Sequence, residues 1–255
     1  MIVDRAIYRD GERIEPTSLD EVYEASRNGS GIAWIGLHEP SKEEIVAIAA
    51  EFGLHELAVE DAINAHQRPK LERYGNTLFL VLRTARYIDE TETVEFGEIH
   101  VFTGPSFVIT IRHGQASELG RVRKELESRP QLLQRGPMSV VHAIVDRVVD
   151  DYMPVVAGIE NDIDEIEDQV FSGESGDVSR RIYELSREVI ELRRATVPLP
   201  EVLGRLIEEA KRGGAAYGIE MSIDQFGPFR PKPRTEIGGL YLAGASQAWG
   251  PGVEG

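Results

Sequence analysis

The sequence has no cysteine among its 255 residues. It therefore offers no disulfide framework, no thiolate metal site and no thiol nucleophile, and it fits a cytosolic setting. No stretch approaches the roughly 18 apolar residues that a membrane helix requires, so the chain itself reads as soluble. Its opening residues, Met1-Ile2-Val3-Asp4-Arg5, lack the basic start and apolar core of a signal peptide. Positive charge is scarce: 28 Lys and Arg stand against 44 Asp and Glu, a formal net charge of −16. That balance excludes nucleic acid as a partner, because neutralising phosphates takes clustered Lys and Arg. It favours cationic partners, although an acidic surface that merely keeps a protein soluble gives the same count. Catalytic signatures are missing as well. There is no Gly-x-Ser-x-Gly elbow, no glycine loop leading from a strand into a helix to cradle phosphate, and no His-x-x-x-His pair on a helix face. The six histidines are scattered, with His55 and His66 bracketing one short helix, and a zinc site has little support.

What is present is the composition of a globular protein, 41% apolar and 28% charged, long enough for one large domain or two smaller ones. Ile2-Val3 and Arg13-Ile14 flank Asp10-Gly11, a hairpin signal. Ser18 with Glu21 and Ser41 with Glu44 are capping boxes, each opening a helix; Gly29 and Gly53 close them. Between the two, residues 31–37 form a strand candidate. A short helix over 55–64 ends before Arg68-Pro69. Three strand-like runs follow, at 78–87, 94–102 and 107–111, with breaks that suit a meander. A helix over about 117–127 completes a mixed α/β region in which helices cover a largely antiparallel sheet.

From Ser139 the apolar period changes to 3.5. One seam reads Val145, Val149, Tyr152, Val156, Ile159, Ile163, Ile166, Val170; a second reads Ile182, Leu185, Val189, Leu192, Thr196, Leu199, Leu203, Leu206. Such seams describe two long helices packed against each other. Residues 171–177 supply the turn, and arginines on the second helix complement acids on the first. Pro154 is expected to kink the first helix.

The segment His55-Glu56-Leu57-Ala58-Val59-Glu60-Asp61 through His66-Gln67-Arg68-Pro69-Lys70 resembles the soluble domain of the CorA family of magnesium and cobalt transporters. Val149-Asp150-Asp151-Tyr152, Glu191-Leu192-Arg193-Arg194 and Pro198-Leu199-Pro200-Glu201-Val202-Leu203 extend the match, which covers roughly residues 1–206. Val197 stands where the family often carries tryptophan. The resemblance implies an α/β/α sandwich with a largely antiparallel mixed sheet over 1–136, followed by a long antiparallel helical hairpin over 137–210. It also implies a non-enzymatic, divalent-cation-sensing domain on the cytoplasmic face of the membrane, working as a homopentamer. Membrane attachment would come only through C-terminal pore helices, which with their Gly-Met-Asn signature are not found in this sequence. Glu60 and Asp61 match the family's intersubunit regulatory metal site, where Mg²⁺, a hard cation held by one or two carboxylates and several waters, bridges subunits. The family's partner acid lies on the stalk helix, past the point where this sequence leaves the pattern, so weak binding at Asp61 is expected. A zinc-exporting or importing relative of the same fold is a further alternative, since soluble domains do not fix the ion.

Residues 211–255 read differently, being rich in Gly and Pro without a sustained period. Gly239-Leu240-Tyr241-Leu242-Ala243-Gly244-Ala245 and the following Gly250-Pro251-Gly252-Val253 resemble the C-terminal end of flavin-dependent phytoene desaturases and related amine oxidoreductases. A flavin-dependent oxidoreductase fragment, supported only by this tail, is thus the first alternative. The dinucleotide-binding fingerprint such an enzyme needs is not found ahead of this segment, so no flavin is expected, and the tail is expected to be poorly ordered.

Overall fold

A computed structural model describes residues 1–115, 117–172 and 177–212. The tail with its flavoenzyme-like motifs, and residues 173–176 of the interhelical turn, lie outside the described residues. The chain begins with the expected hairpin, β1 (Ile2–Arg9) and β2 (Glu12–Ile14). Asp10 and Gly11 between them have φ of 50° and 82°, the left-handed pair that a two-residue turn needs to match strand twist. Glycine is required at the second position for another reason: a Cβ on Gly11 would lie 2.2 Å from the Pro130 carbonyl oxygen.

Local chemistry sets the first three helices. In α1 (Leu19–Arg27) the Ser18 hydroxyl accepts the Glu21 N–H at 3.2 Å. The reciprocal half of that box is diverted, because the Glu21 carboxylate accepts from the Thr17 N–H and hydroxyl instead. In α2 (Lys42–Phe52) both halves of the box form, and Gly53 ends the helix in the left-handed conformation. The third, α3 (Glu56–Asn64), is capped by the His55 ring, whose Nδ1 accepts the Leu57 N–H.

The sheet is completed by β3 (Ile32–His38), β4 (Lys70–Tyr74), β5 (Thr77–Ile88), β6 (Thr93–Thr103) and β7 (Phe107–His113), in the order β2-β1-β3-β7-β6-β5-β4. Only β3 and β7 pair in parallel, so the sheet is mixed and largely antiparallel, with the meander β5-β6-β7 as read from the sequence. The edge strand β4 escapes a search for apolar runs: its sequence Lys-Leu-Glu-Arg-Tyr has one buried residue, Leu71. Charged side chains of this kind suit an edge strand, which must resist pairing with other chains.

Alternation along the strands divides the core in two. Ala33, Ile35, Phe79, Val81 and Ile109 face α1, α2 and α3. Ile32, Trp34, Leu78, Leu80, Leu82 and Val108 face the C-terminal helices, α4 (Leu119–Glu127), α5 (Pro130–Leu133), α6 (Pro137–Ser172), α7 (Val178–Thr196) and α8 (Leu199–Arg212). The result is the α/β/α sandwich followed by a helical hairpin. The 36 residues of α6 run unbroken through Pro154, about 54 Å at 1.5 Å per residue. The hairpin is antiparallel. Successive α6 residues Tyr152 and Asp162 meet Arg83 and Tyr87, whereas successive α7 residues Arg181, Glu188 and Glu191 meet Glu92, Val94 and Arg83 in the opposite sense.

Two details of the seams differ from the sequence reading. Val145 is buried as the seam expects, but beyond it the buried stripe of α6 is Val148, Tyr152, Val155, Ile159, Asp162 and Ile166, whereas Ile163 and Val170 are 40% and 51% exposed. The helix packs on β5 and β6 as well as on α7, and the sheet turns the stripe toward itself. The return helix is also two helices, α7 and α8, interrupted at Val197-Pro198; α8 then continues through Lys211 and Arg212. Among the described residues no helix is long and apolar enough to cross a membrane.

Candidate cation-binding site

The short helix α3 places Glu60 and Asp61 on different faces, because consecutive helical residues diverge by about 100°. Glu60 is exposed and lines a groove between α2 and α3 with Lys42, Val46 and Ile63. Asp61 turns toward the sheet edge, where the Lys70 ammonium of β4 lies 2.5 Å from its Oδ2. Lys70 also reaches Glu72 Oε2 at 2.9 Å. Burial disfavours its charge, but the hydrogen bonds to Asp61 and Glu72 outweigh this and hold the amine above its ordinary range. Lys70 is thus an internal cation resident on the very carboxylate the sequence singled out. The two acids are not brought together into one chelate; each is a separate oxygen donor on the same short helix. Lys70 is visible in the sequence as the last residue of His66-Gln67-Arg68-Pro69-Lys70, but the strand that carries it, with one buried residue, has no apolar run to mark it.

Behind Asp61 lies a buried polar chain on β5 and β6. The His100 ring is fully buried, and its Nε2 is 2.9 Å from Glu98 Oε2. Burial pushes His100 below the usual imidazole range, so at neutral pH the ring is neutral and donates from Nε2. Burial works to raise the Glu98 carboxyl, but the bond from His100 and the charge of Arg83 bring it below its ordinary value. Arg83 then links Glu98, at 3.1 Å, to Glu191 of α7 at 3.5 Å. The α3 end of the sheet is therefore joined electrostatically to the hairpin. Neither His55 nor His66 is placed as a ligand in this arrangement. His55 caps α3 and stacks on Tyr74 with centroids 4.3 Å apart, and His66 is exposed in a left-handed backbone conformation with φ of 57°.

Oxygen donors of this kind select hard cations such as Mg²⁺, and a partly exposed carboxylate that already holds an ammonium binds them weakly. The profile of the family described as CorA-like Mg²⁺ transporter protein matches residues 29–219. The YfjQ protein of Bacillus subtilis is 30% identical over 174 residues, 68% of this chain and 53% of that one. The cobalt/magnesium transport protein CorA of Thermotoga maritima is 27% identical over 185 residues, 72% of this chain and 53% of that one. The chain thus spans about half the length of these curated relatives. Among solved structures, the soluble domain of CorA from Methanocaldococcus jannaschii superposes with a TM-score of 0.61 at 15% identity, covering 80% of this chain and 79% of that one. That last likeness concerns the fold.

Proposed function

Given that the chain belongs to the CorA-like Mg²⁺ transporter family, we propose that its sandwich and hairpin form the cation-responsive, non-enzymatic part of a divalent-cation transporter. In this reading the domain works at the cytoplasmic face of a membrane, as one subunit of a homopentamer. Mg²⁺ binds weakly at Asp61, with Glu60 as a second, separately oriented donor, and reports cation concentration to a pore outside the described residues. The observation that supports it best is the position of Asp61. Its carboxylate sits at the edge of the sheet, reachable from outside, and is held by a lysine that a divalent cation can displace. Like charges left uncovered when the cation departs would loosen subunit contacts. Flux itself is a property of the whole transporter.

Light scattering with size exclusion, with and without millimolar Mg²⁺, tests this. The expected result is Mg²⁺-promoted self-association that Asp61→Ala abolishes. A strict monomer under both conditions, or association indifferent to Asp61→Ala, would overturn the regulatory reading.

A further inference from the structure

A second acidic group lies at the other end of β5, remote in sequence from α3. Among the described residues, one carboxylate oxygen each of Glu92, Asp162 and Glu165 lie within 4.8 Å of one another. Glu92 stands in the β5–β6 turn; Asp162 and Glu165 are three residues apart on one face of α6. Acidic residues at a surface commonly cluster without a ligand, but Asp162 is not at the surface. It is 3% exposed, and only one of its oxygens is satisfied: the Tyr87 hydroxyl donates to Oδ1 at 2.6 Å, whereas Oδ2 is buried with no hydrogen-bond partner. Burial makes a carboxylate oxygen left bare costly, and a bound ion or water is the ordinary explanation for such an atom.

The surroundings specify which. Asp162 lines a cavity of about 610 Å³ with Thr91, Glu92, Thr93, Arg181 and Glu188, among others. Its donors are carboxylate and hydroxyl oxygens, the set that hard cations take. Five carboxylates stand at or beside the cavity, from Glu92, Asp162, Glu165, Glu184 and Glu188, against three guanidiniums, from Arg180, Arg181 and Arg187. The local excess is two negative charges. Arg181 bridges Glu92 at 2.8 Å and Glu165 at 3.2 Å but makes no ion pair with Asp162. Three oxygens this close can all be touched from one centre at about 2.8 Å or less, near the roughly 2.3–2.6 Å of Ca²⁺–oxygen bonds.

We propose that Glu92, Asp162 and Glu165 form a site for a hard divalent cation, which ties the β5–β6 turn to α6 and takes the place of the Arg181 guanidinium between the two glutamates. This site is independent of Asp61. Three carboxylates available to one ion favour Ca²⁺, whereas Mg²⁺ would keep more of its waters and bind less tightly.

Tb³⁺ shares the oxygen preference of Ca²⁺ and emits when a tyrosine beside it is excited, so Tyr87 is a built-in reporter. Titration of the full chain is expected to give saturable, tyrosine-sensitised emission that Ca²⁺ reverses at lower concentration than Mg²⁺. Asp162→Asn, and separately Glu92→Gln on the turn where folding is not at stake, should each weaken Tb³⁺ binding at least tenfold. Arg181→Gln should tighten it several-fold, and Asp61→Asn should leave it within about twofold. The proposal is overturned if no saturable emission appears, if Asp162→Asn and Glu92→Gln bind as the parent does, or if Asp61→Asn removes the signal.

Discussion

The two ends of β5 treat a carboxylate in opposite ways. At the α3 end Asp61 is partly exposed and its charge is met by Lys70, an ammonium supplied by the neighbouring strand. At the β5–β6 turn Asp162 is almost wholly buried, yet one of its oxygens is met by nothing. The first arrangement is complete without a ligand and can only exchange one cation for another. The second is incomplete as it stands, because burial raises the cost of an unpaired oxygen. Proximity of acids in a sequence therefore says less about cation affinity than whether the fold has already supplied the counter-charge.

The largest expected effect concerns the packing that holds Tyr87 against α6. A Cβ on Gly158 would lie 2.4 Å from the Tyr87 ring. Gly158→Ala gains about 1 kcal/mol in helix propensity, but three ring atoms of Tyr87 lie within 2.6 Å of the new Cβ, so overpacking costs about 3 kcal/mol and the net loss is about 2 kcal/mol. Chemical denaturation should show net destabilisation and loss of cation-dependent stabilisation at the turn end alone; a more stable Ala variant would break the contrast at its structural root. Next, Lys70→Met frees Asp61 of its resident ammonium, and Mg²⁺-promoted association should then occur at about tenfold lower Mg²⁺, about 1.4 kcal/mol. An unchanged Mg²⁺ midpoint would mean that Lys70 does not compete. A smaller effect, with a diagnostic sign, is expected from Asp162→Asn in thermal melts. In chelator the variant should be the more stable protein by about 1 kcal/mol, since a buried bare oxygen charge is removed; in Ca²⁺ the order should reverse.

The smallest effect is one of pH. The folded state keeps His100 neutral below its ordinary value of 6.5, whereas the unfolded chain takes up the proton there. More protons on the unfolded chain mean that stability falls as pH drops below about 6.5, and His100→Gln should flatten that part of the profile. A profile unaltered by His100→Gln would remove the imidazole from the account of the α3 end.

Much of this architecture can be read from residue order, because it rests on local rules. Asp10-Gly11, Ser41 with Glu44, and the apolar, strand-like runs of β5 to β7 each act over a few residues, and each appears where expected. The errors arise where distant partners decide. β4 owes its place to pairing with β5, not to its own hydrophobicity. The α6 stripe turns because a sheet lies under it, so Val148 and Val155 are buried and Ile163 is not. Pro198 interrupts a heptad pattern that is otherwise unbroken in spacing. The candidate sites divide along the same line. Glu60 and Asp61 stand out as neighbours in a recognisable motif, but Lys70 becomes the counter-charge of Asp61 only through strand pairing. Asp162 and Glu165 share a helix face by their spacing, but Glu92 is 70 and 73 positions away from them in the chain, and no spacing rule brings it to the pair.

Hydrogen–deuterium exchange with and without divalent cation tests the contrast most directly. Micromolar Ca²⁺ should protect the β5–β6 turn and the α6 segment around Asp162, leaving α3 and β4 unchanged until millimolar Mg²⁺ is added. Protection that begins at α3 and β4, or none at the turn at any concentration, would contradict the account.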